Sequence, residues 1–147
     1  MSLLVKSGTP LPDGTLEYVG FEARTGDLSG ETGARELCAV VLGGACEVRS
    51  GAGEWSGMGE RDSPFDGLPH AVYLPPGTSF SFEGDAELAL CWAPASEGAE
   101  ARVIAPEDVG VETRGSGSME REIHNILMED AAAEALLVTE VVTPAGH

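Results

Sequence analysis

Arg35-Glu36-Leu37-Cys38-Ala39-Val40-Val41-Leu42-Gly43-Gly44 is the stretch on which the fold turns. Its apolar run is continuous from Leu37 to Leu42, as in a β-strand covered on both faces, and two glycines close it. Downstream, Ser79-Phe80-Ser81-Phe82 alternates small polar and large aromatic side chains, the pattern of a strand with one buried face. Similar short runs lie at Leu16 to Phe21, Ala45 to Arg49, His70 to Leu74 and Glu87 to Trp92. Turn residues separate them: Gly43-Gly44, Ser50-Gly51, Gly53, Gly57, Pro75-Pro76-Gly77 and Gly84-Asp85. Helical periodicity is scarce. Short strands at this spacing, with turn chemistry between them, predict an all-β sandwich or barrel.

After Pro94 the composition changes. Ala95 to Ala101 is small and acidic and reads as a loop. Pro106-Glu107-Asp108-Val109 fits one helical turn, since Pro suits the first helical position. Arg114-Gly115-Ser116-Gly117-Ser118 reads as a flexible segment. Arg121 to Leu127 is strand-like, Asp130 to Ala135 suits a short helical turn, and Leu136 to Val142 is a strong strand. The strand meets Thr143-Pro144-Ala145-Gly146-His147 and stops, so the chain reads as cut short there, by nature or by design.

Glu36 is followed by six residues and Gly43, and Pro75-Pro76-Gly77 follows about 40 residues further on. This pair of segments resembles the two signatures of the cupin fold, a jelly-roll-like β-barrel. In cupins the first signature also carries H-x-H, and the second carries a histidine after P-x-G. Alternate strand residues face inward, so these histidines and the glutamate converge on one divalent metal. Here the H-x-H positions hold Gly30 and Thr32, or Ser29 and Glu31 with the longer spacing, and the second-signature position holds Phe80. A lone carboxylate does not hold a catalytic metal. The expectation is a metal-free barrel with a ring at Phe80 filling the space.

A closer resemblance runs through the chain in order. Arg35 to Gly44 resembles the first strand block of the 5-deoxyglucuronate isomerase family. So does Ser63-Pro64-Phe65-Asp66-Gly67-Leu68-Pro69-His70-Ala71-Val72-Tyr73-Leu74-Pro75-Pro76-Gly77, where the family usually has Tyr at the His70 position. Pro106 to Glu112, His124-Asn125-Ile126-Leu127, Leu136-Leu137-Val138, Glu140-Val141 and Thr143 to His147 match as well. The resemblance implies the N-terminal half of a protein about twice this length, built of two cupin modules. It implies a division into a barrel at 1–94, a linker at 95–118, and strands at 119–147 that begin the second module. It also implies a divalent metal such as zinc or manganese, bound in that second module, past His147. The implied reaction is the aldose–ketose isomerisation of 5-deoxyglucuronate to 5-dehydro-2-deoxygluconate in myo-inositol breakdown. A metal polarises the carbonyl, and a base moves a proton between adjacent carbons. Without the second module the chain is expected to hold no cofactor and to be structural or inactive by itself.

Charge narrows the partners. The chain has 25 acidic and 8 basic residues, a net charge of −17, so its surface repels phosphate backbones and excludes nucleic acid. No apolar run approaches the roughly 20 residues that cross a bilayer, and Leu3-Leu4-Val5 is too short for a signal peptide. A cytoplasmic protein with no membrane partner is expected. Cys38, Cys46 and Cys91 lie in no CxxC, and Cys38 and Cys46 read as small buried hydrophobes.

Among single residues, Glu36, Arg35, His124 and Arg121 are the ligand-binding candidates; no catalytic residue and no metal ligand is assigned. Glu36 is either the survivor of a ligand set facing a cavity or a structural acceptor of Arg35 or of a turn amide. His124, at the head of a strand-like run, is a candidate for an interface with the missing module. His70 reads as a half-buried packing residue. Arg61, Asp62 and Asp66 flank Pro64 and suit an Arg–carboxylate pair fixing a loop. Trp55, Trp92, Phe65 and Tyr73 read as core or interface anchors. No Ser-His-Asp, Cys-His, P-loop or GxGxxG pattern supports another enzyme class.

Three functions compete. The first is a structural half-enzyme that dimerises through the edge formed by Leu136 to Val142. The second is a free-standing module that binds a small sugar acid or associates with a full-length isomerase. In so acidic a chain it needs local arginine, with Arg35, Arg61 and Arg121 as candidates. The third is a metal isomerase that shares ligands across a dimer, disfavoured by three histidines per chain and no H-x-H.

Overall fold

The structure is a computed structural model that describes residues 18–129 and 133–145. Its strands are β1 (Gly20–Thr25), β2 (Leu28–Glu31), β3 (Arg35–Gly43), β4 (Cys46–Ser50), β5 (Gly53–Met58) and β6 (Ala71–Leu74). They continue with β7 (Ser79–Gly84), β8 (Glu87–Pro94), β9 (Arg102–Ile104), β10 (Gly110–Arg114), β11 (Arg121–Leu127) and β12 (Val138–Val142). Single 3-10 turns stand at Pro106–Asp108 and Gly117–Met119.

Among the described residues these strands form three sheets, and every pairing between neighbouring strands is antiparallel. One has the order β1-β8-β3-β6-β9, a second β2-β7-β4-β5, and a third β10-β11-β12. The first two enclose the barrel core, which includes Leu37, Val41, Val48, Leu74, Phe80, Phe82, Leu90 and Trp92. The third packs on the other face of the five-stranded sheet, where Cys38, Val40 and Tyr73 meet Val109, Ile126, Leu127, Leu136 and Val138. The middle sheet is therefore covered twice. Leu37, Ala39 and Val41 of β3 point into the barrel core, and Cys38 and Val40 point into the second core. That is the physical origin of the unbroken apolar run. A fully buried Leu such as Leu37 contributes about 1.5–3 kcal/mol by burial.

Two glycines close tight approaches. A Cβ at Gly43 would lie 2.4 Å from the Asp62 carbonyl oxygen, so no larger residue fits where β3 bends under the following loop. Gly77 adopts φ +70° after Pro75-Pro76 and donates its N–H to Gly33 at 2.8 Å.

The all-β, cupin-like architecture agrees with the sequence reading, with shifts in detail. The strand expected from Leu16 begins at Gly20, and residues 16 and 17 lie outside the described residues. β5 runs through Gly53 and Gly57, which read as turn residues; a glycine lowers strand propensity without forbidding a half-exposed strand. The 95–118 segment, expected as a linker, contributes β9, paired with β6, and β10, paired with β11. The helical turn at Pro106 is present as a 3-10 turn, whereas the one expected from Asp130 falls partly outside the described residues.

Candidate functional site

The barrel interior was the first place to expect a ligand. Gly30 stands directly opposite Phe80 in the β2–β7 register. A Cβ at Gly30 would lie 3.2 Å from Phe80 Cζ, so an imidazole there meets a ring. Phe80 is buried, edge-on to Phe82 at 5.6 Å between centroids and tilted against Trp92 at 6.1 Å. Thr32 is buried and engaged: its Oγ1 donates to the Pro75 carbonyl and accepts from the Thr78 N–H, both at 2.8 Å. Ser29 and Glu31, the alternative pair, are exposed. These residues do not fit a divalent metal: the signature positions offer no imidazole, and three aromatic rings hold the space.

Glu36 points the other way. Its neighbours Leu37, Ala39 and Val41 fill the barrel core, so strand alternation turns Glu36 with Cys38 and Val40 toward the third sheet. Fully buried, it accepts the Tyr73 hydroxyl at 2.6 Å and the backbone N–H groups of Glu134, Ala135 and Leu136 at 3.0, 2.7 and 2.6 Å. Four donors around two oxygens match the acceptor capacity of a carboxylate. The structural alternative of a turn-amide acceptor describes this side chain, and Arg35 takes no part. Burial, reinforced by the bond to Glu36, pushes the Tyr73 phenol well above its usual range. Next door, Glu134 accepts the N–H groups of Ser96 at 2.8 Å and Glu97 at 3.1 Å. Those of Glu97 first and Ser96 next hold its carboxyl below 4.5.

A second buried polar cluster ties the barrel to the third sheet. Arg61, its side chain 1% exposed, grips Glu140 with two parallel bonds of 2.8 and 2.6 Å. It also donates to the carbonyls of Val41, Pro64 and Gly67. Glu140 and Glu122 then flank His124, with Nδ1 2.7 Å from Glu140 and Nε2 2.7 Å from Glu122. Burial pushes the Glu140 carboxyl up, but the hydrogen bonds from Arg61 and His124 outweigh it and hold the group below 4.5. Both ring nitrogens of His124 are thus engaged by carboxylates, and the cluster ties β11 and β12 to the loop that carries Arg61. Arg61 reaches across 79 residues to Glu140 and not to Asp62 or Asp66; Asp66 instead accepts from Ser63 Oγ at 3.0 Å.

The remaining candidates are dispersed. Arg35 is exposed and lies 4.2 Å over the Trp92 ring. Arg121 donates to the carbonyl of Glu120 at 2.8 Å and stands opposite Arg114 on β10. His70 Nδ1 accepts the Gly59 N–H at 3.2 Å. Cys38 and Cys91 face each other across β3 and β8 as free thiols. Burial pushes all three thiols up, those of Cys46 and Cys91 to about 11, which leaves little reactive thiolate. His147 lies outside the described residues. Glu122, Glu140, Tyr73 and Arg114 are the site residues that the sequence reading did not single out as such. For Glu122 the i, i+2 spacing to His124 on one strand was the available signal.

The sequence and structure both match known proteins. The chain is 38% identical to a 5-deoxy-glucuronate isomerase of Geobacillus kaustophilus over 99% of its own length and 59% of the relative's. It is 41% identical to one of Geobacillus thermodenitrificans over 89% of its length and 50% of the relative's. It superposes on the crystal structure of an IolB-like protein from Salmonella typhimurium with a TM-score of 0.88 and 35% identity, covering 99% of this chain and 59% of that one. It thus spans between half and three-fifths of these relatives. With the KduI/IolB family profile matching residues 15–147, the chain belongs to the KduI/IolB family.

Proposed function

We propose that this chain is the structural cupin portion of a 5-deoxy-glucuronate isomerase that serves myo-inositol breakdown in the cytoplasm. In this reading the aldose–ketose chemistry and its divalent metal belong to the part of the relatives that the chain does not span. One observation carries it: Phe80 fills the barrel opposite Gly30, with Thr32 committed to the Pro75–Thr78 turn. The barrel then acts as a solid support. Glu36 and Arg61 fasten the third sheet to it, and that sheet is the natural platform for the catalytic portion. Exposed Leu137 and Val141, beside or on edge strand β12, support pairing with a second copy.

Elemental analysis of the purified chain after dialysis against zinc, manganese or iron(II) tests this. The reading expects far less than one metal per chain. Near-stoichiometric retention of any of the three would overturn it.

A further inference from the structure

The third sheet places two arginines face to face. Arg114, the last residue of β10, is in register with Arg121, the first of β11. Residues directly opposite in an antiparallel pair point to the same side, and like charges there destabilise the pair. The chain has only 8 basic residues against 25 acidic ones, so chance and charge balance both argue against spending two of them this way.

Every described arginine except Arg121 meets a carboxylate or an aromatic ring. Arg24 pairs with Glu22, Arg49 lies near Glu47 and Glu83, and Arg61 grips Glu140. Arg35 stacks over Trp92, and Arg102 lies over Tyr73. At the β10–β11 pair, Arg114 Nε contacts Glu112, whose carboxylate also accepts from Asn125 Nδ2 at 3.3 Å. Arg121 spends one donor on its neighbour's carbonyl and, among the described residues, meets no carboxylate. Its remaining donors are in reach of solvent, as is the side chain of Arg114, 72% exposed. The connection between the two strands opens with Gly115-Ser116-Gly117-Ser118, which adds two hydroxyls, and ends in exposed Met119 and Glu120.

We propose that Arg114 and Arg121, with the Gly115–Ser118 turn, form a subsite for the carboxylate of a small sugar acid. Two planar forks suit a carboxylate's two oxygens, and the serine hydroxyls suit the adjoining sugar hydroxyls. Elsewhere the acidic surface repels such an anion, so the pair is also what admits it. The sugar-acid class rests on the proposed function; the anion subsite rests on the arginine pair alone.

The test is a titration of the full chain with sodium glucuronate, followed by the arginine Nε–H and backbone amide resonances. Glucose serves as the ring without the charge and inorganic phosphate as the charge without the ring, all at matched ionic strength. Saturable shifts at Arg114, Arg121 and residues 115–118 are expected with glucuronate and not with glucose, weakened at least tenfold in R121Q and unchanged in R49Q. R121E separates binding from structure: it replaces a like-charge pair by an opposite one, so binding is lost while Tm is kept or raised. No saturable shift with glucuronate, or equal shifts in R121Q, would overturn the subsite, and phosphate binding as tightly as glucuronate would overturn its assignment to a sugar acid. These outcomes are independent of metal retention, so the subsite and the scaffold reading fail separately.

Discussion

Tyr73 donates its hydroxyl to Glu36 at 2.6 Å, and the same carboxylate receives three consecutive backbone N–H groups from 134–136. One side chain on β3 thereby fixes the approach to β12, about 100 residues later in the chain. Glu36→Ala strands the buried Tyr73 hydroxyl and Leu136 N–H and is expected to cost about 3 kcal/mol. Chemical denaturation measures the loss. Hydrogen exchange should localise it, with faster exchange at 134–142 than in β3 and β8. A uniform change across the chain would deny Glu36 its anchoring role.

The clasp between Arg61 and Glu140 makes the third sheet acid-sensitive. The folded Glu140 carboxyl is held below 4.5, so its contribution is present above that pH and is lost as pH falls through the lowered folded value. Glu134 acts in the same direction. Wild type should lose stability as pH falls below the ordinary carboxylate range, and Glu140→Gln should start less stable and lose less over the same fall. Thermal melts of both proteins across the range check this. Parallel curves would show that Glu140 carries none of the acid dependence.

Restoring the missing histidines should not restore a metal. In the triple variant G30H, T32H and F80H, the new imidazoles have no fourth ligand, because Glu36 faces the second core. They also crowd a barrel whose space is now held by Phe82 and Trp92. Calorimetric titration with zinc should show no stoichiometric binding of micromolar strength. Tight one-to-one binding by a folded variant would place Glu36 on the wrong side of β3.

Strand pattern was legible because burial writes itself into period two. β3 appeared as a two-sided strand, and β7 as a one-sided one. What the pattern does not encode is register between distant strands. The match of Glu36 and Gly43 to a metal signature had the right spacing and the wrong face: alternation along β3 sends Glu36 outward with Cys38 and Val40. Arg61 was read with the nearby Asp62 and Asp66, because its partner Glu140 becomes a neighbour only when the third sheet docks. β10 was missed for a similar reason. Gly110-Val111-Glu112-Thr113-Arg114 has little apolar pattern of its own and becomes a strand by pairing with β11. The like-charged pair of Arg114 and Arg121 follows from that register and could not precede it.

On the proposed function, this barrel supports chemistry and performs none. The most direct measurement is turnover of 5-deoxyglucuronate by the purified 147-residue chain, with manganese or zinc added, followed as ketose formation. The account predicts a rate no greater than that of buffer and metal alone. Ketose formation that scales with the amount of chain and stops when metal is chelated would contradict it, and would locate a working site within these residues.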